Sequence, residues 1–85
     1  MDDHMIERIM DEIKQYIYCA NLAVKEKGTD IKETADWKAA KILVRAYNKM
    51  VKLYYLKEHA DMYVTTVSKV YKSMQLEVQF GSSKP

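Results

Sequence analysis

Residues that interrupt helices are nearly missing from this sequence. It has two glycines and one proline in 85 residues. Gly28, Gly81 and Pro85 all lie outside the long periodic stretches, so little breaks helix over most of the chain. Cysteine is scarce as well. Cys19 stands alone, which excludes a disulfide within one chain and fits a reducing compartment. No apolar run approaches the ~20 residues of a membrane span. The opening Met1-Asp2-Asp3-His4 is acidic where a secretory signal would be basic. These absences lead us to expect a cytoplasmic protein with no membrane partner.

The chemistry of catalysis is also thin. There is no Gly-rich phosphate loop, no pair of residues at nucleophile-and-base spacing, and the carboxylates are spread along the chain. His4, Glu7 and Asp11 share one helix face, but three scattered ligands at a fraying end fit a solvated acidic start better than a metal site. A short helical chain without long loops also has little room for a substrate cleft. The expectation is therefore a non-enzymatic protein with no cofactor, no metal and no small-molecule substrate.

What remains is helix-forming residues and charge. At this length there is room for one domain, and a core this small needs support from self-association or a partner. Net charge is +2, but unevenly spread: Met1 to Asp36 has nine acids and five bases, and Trp37 to Pro85 has nine bases and three acids. Such polarity points to an acidic partner for the second half, or to another copy of the chain.

Ile6, Met10, Ile13, Ile17, Ala20 and Val24 alternate spacings of four and three, the seam of a packed helix. Gly28 ends it, so the first helix is expected over about 3–27. Asp30 and Glu33 form a capping-box pattern that opens a second helix over about 31–57. That helix is apolar around most of its circumference and needs neighbours on two sides. A third helix is expected over about 60–76, capped by Asp61 after a bend at Glu58-His59-Ala60. Met74, Leu76, Val78 and Phe80 alternate at period two, predicting a short strand or extended segment, and 81–85 reads as a flexible tail. Met5, Met10, Met50, Met62 and Met74 read as core filler, Trp37 as a core anchor and Cys19 as a buried or half-buried small residue. The fold expected is all-α: a small antiparallel three-helix bundle with a short extended C-terminal tail, forming a single domain over 1–80.

Three surface features carry functional expectations. Lys38, Lys41, Arg45, Lys49 and Lys52 align along one strip of the second helix, and no acid lies between Trp37 and Lys57. Like charges at these spacings repel, so the strip is expected to meet an anionic partner. Tyr18 and Leu22 form an exposed pair on the first helix, suited to a protein contact. The stretch from Leu56 to Tyr71, above all Thr66-Val67-Ser68-Lys69-Val70, resembles the helix-turn-helix unit of bacterial repressors. Lys57 and Asp61 depart from it, at positions where the motif has a small residue and a turn glycine. That resemblance implies that Leu56, Ala60, Met62, Val67 and Val70 fill a small core. It further implies that Val64, Thr65, Thr66, Ser68, Lys69 and Lys72 include the residues facing a DNA groove.

Together these features lead us to expect a small helical regulator or adaptor acting by protein–protein interaction, as a homodimer. The alternative is a DNA-binding regulator that uses the basic strip and the third helix.

Overall fold

The computed structural model describes residues 3–54 and 64–82. Helix α1 spans Asp3–Lys27, as its seam predicts. It stops because Gly28 adopts φ 71°, a left-handed conformation that disfavours any side chain. The Gly28 N–H donates to the Val24 carbonyl at 2.7 Å, satisfying one of the carbonyls left over at the helix end.

The start of the second helix differs from expectation. Asp30 does act as a cap, its Oδ1 accepting from the Lys32 N–H at 3.1 Å, but it caps only a 3-10 turn, Ile31–Glu33. Helix α2 begins later and spans Ala35–Tyr54. Its cap is Thr34, whose Oγ1 accepts from the Trp37 N–H at 3.1 Å and donates to the Ile31 carbonyl at 2.7 Å. Ile31 packs against the core, and a tight turn lets it do so before α2 sets off. A continuous helix from Ile31 would change the direction of that side chain.

The third helix differs more. Residues 64–66 are not helical, and helix α3 spans Val67–Ser82. Thr66 caps it, accepting from the Lys69 N–H at 3.1 Å. The expected bend at 58–60, the Asp61 cap and the end of the second helix beyond Tyr54 lie outside the described residues. Over 74–80 the chain is helix, not strand or extended tail, and Gly81 and Ser82 continue it. Val67, Val70, Tyr71 and Met74 already set a three-and-four spacing that packs on the core. A lone strand would leave its backbone groups unpaired, whereas a helix satisfies them internally.

The result is a three-helix bundle with no strand among the described residues. Helices α1 and α2 share the largest interface, and α3 packs on both. The core joins Ile13, Ile17 and Ala20 from α1, Trp37, Ala40 and Val44 from α2, and Val67 and Val70 from α3. Trp37 meets Tyr71 edge to face, with ring centroids 5.7 Å apart and planes at 84°. Burial pushes the Tyr47 phenol above its ordinary pKa, because a phenolate beside this core would lose hydration.

Two expected core residues are exposed. Cys19 is exposed, and Met5 is 48% accessible. Both project from the side of α1 turned away from the Ile13–Ile17–Ala20 seam, at roughly 100° per residue.

Thr34 is buried and supplies both bonds at the turn. Replacing it with Ala should lower stability by about 1 kcal/mol, in the range for lost N-caps. Urea unfolding of Thr34→Ala against the parent, followed by helical circular dichroism, measures this directly.

Candidate interaction surfaces

Two surfaces gather the residues singled out by the sequence. The first is a trough between α1 and α3. Ile17, Tyr71 and Met74 form its deeper wall, Tyr18 and Leu76 stand exposed at its sides, and Lys25 and Lys72 lie at its rim with Asn21 and Gln75. Its volume is ≈ 800 Å³ and its lining is mostly apolar. Neither wall contributes an acid. Tyr18 is 56% exposed and Leu22 40%, as expected of the pair. Tyr18 lines the trough, and Leu22 lies just outside its α1 wall.

The second surface is the outer face of α2. Lys38, Lys41, Arg45, Lys49 and Lys52 are all exposed along it. At about 1.5 Å per residue the strip is ~21 Å long. Beside it Ile42 and Leu53 are also exposed.

The residues expected to contact DNA are divided in their roles. Asn48 donates from Nδ2 to the Thr65 carbonyl and accepts at Oδ1 from the Thr65 N–H, both at 2.9 Å. Thr65 is half-buried, with its backbone fully engaged by this amide. The Thr66 hydroxyl is the cap of α3. Ser68 and Lys69 are exposed in the first turn of α3, and Lys72 is exposed at the trough rim. Val67 and Val70 are buried, but in the core shared with α1 and α2. Leu56, Ala60 and Met62 lie outside the described residues.

Comparison with protein-family models, with curated proteins and with solved structures finds no match in any of the three.

The N-terminal set does not assemble into a ligand cage. His4 Nδ1 and Glu7 Oε2 lie 4.0 Å apart with both side chains exposed. Among the described residues no group of three or more His, Cys, Asp or Glu is arranged to hold a metal ion. No helix among them is long and apolar enough to cross a membrane.

Sequence reasoning missed the Asn48–Thr65 link. Its signal was present, since Asn48 is the one amide side chain of α2, but its partner is 17 residues away. The trough was missed as well, because it depends on how α1 and α3 pack against each other.

Asn48 holds the start of α3 against α2 with two hydrogen bonds. Asn48→Ala should destabilise the fold by about 1–3 kcal/mol, as expected when two partly buried backbone groups lose their partners. Amide exchange should accelerate most at Thr65, more than at Gly28 or Trp37; uniform acceleration would instead indicate global loosening.

Proposed function

We propose that this chain is a small non-enzymatic helical regulator or adaptor that acts by protein–protein contact, as a homodimer, with the α1/α3 trough as the contact surface. The observation that carries this reading is the trough itself. Monomeric proteins rarely leave an open apolar hollow with an aromatic and a leucine exposed at its sides, and such patches are where partners dock. A patch that contains both a projecting ring, Tyr18, and a recess floored by Ile17 and Met74 suits an isologous pairing, where knob and hollow exchange. Self-association also answers the problem of size, because the buried core is small and no disulfide supplements it. The exposed Cys19 thiol suits a reducing compartment, which is the basis for reading the protein as cytoplasmic.

A photo-crosslinking residue at position 22, introduced in the cells that make the protein, tests the contact. Light-dependent adducts to a polypeptide are expected from position 22 and not from a control position at Lys32. An adduct of twice the chain mass identifies a second copy, and one of another mass identifies a different protein. No polypeptide adduct from position 22 would sink the adaptor reading.

A second reading has its own observation. Asn48 lies on the flank of the basic strip, with Arg45 three residues before it and Lys52 four after. Through Thr65 it draws the first turn of α3, with Ser68 and Lys69 exposed, up to the same flank. Cations from two helices then front one surface, which suits the phosphates of a nucleic acid. On this reading mixed-sequence duplex DNA binds at low salt, and log affinity falls with log salt by about 0.9 per phosphate neutralised. Changing Lys41, Arg45 and Lys49 together to Glu should abolish binding with the helical signal intact. Unchanged binding in that variant would remove the strip from consideration.

A further inference from the structure

The stripe of α1 whose C-terminal half, Tyr18, Asn21 and Lys25, lines the trough has a charge order of its own. Glu7, Asp11, Lys14, Tyr18, Asn21 and Lys25 alternate spacings of four and three. This is the spacing of the core seam, moved on by one residue and so turned by about 100° around the helix. None of the six is buried: Glu7, Asp11, Tyr18 and Lys25 are exposed, and Lys14 and Asn21 are half-buried. Unlike the core seam, this stripe is polar except for the Tyr18 ring, so what it can offer a partner is its order of charge.

The order along the stripe selects the occupant. Reading from the N-terminus, it has two acids, a lysine, the aromatic ring, an amide and a lysine. When such a stripe faces a copy of itself running the other way, with the two-fold axis midway between Lys14 and Tyr18, every layer is complementary. Glu7 meets Lys25, Asp11 meets Asn21, and Lys14 meets Tyr18, and each contact occurs twice. The three contacts are an ion pair, a charge-assisted hydrogen bond and an ammonium over an aromatic face. A parallel arrangement in register would place Glu7 on Glu7 and Lys25 on Lys25. Sliding the antiparallel pair by one heptad, two layers, towards the C-terminus would set Lys14 against Lys25.

The geometry points to a second copy of this chain as the occupant of the trough. Its α1 would lie antiparallel along this stripe, with Lys72 and Leu76 of α3 forming the far wall. This rests on reading the trough as a protein-contact surface, and it adds the orientation and register of the pair. The α2 face is not the self-interface: Lys38, Lys41, Arg45, Lys49 and Lys52 have one sign, and pairing the strip with itself would stack like charges.

Charge exchange tests the register. Sedimentation equilibrium of the purified chain over a range of micromolar concentrations should give twice the 10.0 kDa of one chain. Glu7→Lys sets two lysines opposite each other at both ends of the pair, and Lys25→Glu sets two glutamates there. Each single change should weaken the dimer by about tenfold or more. The double variant Glu7→Lys with Lys25→Glu restores opposite charges and should recover the parent association. Both side chains are exposed, so helical circular dichroism of each variant should match the parent. A parent that stays monomeric, single variants that dimerise as the parent does, or a double variant that fails to recover would each overturn this assignment. In that event a heterologous adduct from position 22 keeps the adaptor reading, and the absence of any adduct removes both.

Discussion

The arrangement of all three helices depends on Trp37. Its backbone N–H is the donor that Thr34 caps, so the position of the ring is tied to the turn that starts α2. Its side chain is buried in the cluster that includes Ile13, Ile17 and Ala20 of α1. Its ring meets the edge of Tyr71, which brings in α3. One residue thus couples a local cap, the main helix pair and the third helix. The rest of the core is made of small and medium side chains, with Val and Ala at most buried positions of α2 and α3. Such a core has little redundancy in a chain of 85 residues.

Because so much of this chain is surface, the ordering of surface charge matters more than in a larger domain. The two outer faces are built on different rules. The face of α2 has one sign of charge throughout, which gives a strong field but nothing with which to pair itself. The face of α1 beside the trough mixes signs in an order that is complementary to its own reverse. The first suits a polyanion or an acidic protein; the second suits a copy of the chain. The two surfaces use different helices, so occupation of one leaves the residues of the other in place.

Asn48 is the residue that connects the surfaces to the fold. Without its two bonds to Thr65 the segment before α3 would have free backbone groups, and the first turn of α3 would lose its anchor on α2. The same contact fixes the segment just before α3, whose first turn exposes Ser68 and Lys69. A buried or half-buried amide that satisfies both donor and acceptor of one residue gives directional control that apolar packing alone does not.

Several features were determined by the sequence alone, and all are local or periodic. The span of α1 follows from its seam and from Gly28. The basic strip and the exposed Tyr18–Leu22 pair follow from helical projection, which needs only the helix to exist. The all-α class follows from the scarcity of breakers. Tertiary structure decided the rest. Asp30 and Glu33 carry a capping pattern, yet Thr34 caps α2, because Ile31 must reach the core first. The alternation from Met74 to Phe80 reads as a strand, yet the segment is helix, because a helix needs no partner for its backbone while a single strand does. Cys19 and Met5 were matched to the core, yet both project away from the Ile13–Ile17–Ala20 seam and are exposed. The trough and the partner of Asn48 depend on contacts between residues distant in sequence, which a local pattern does not specify.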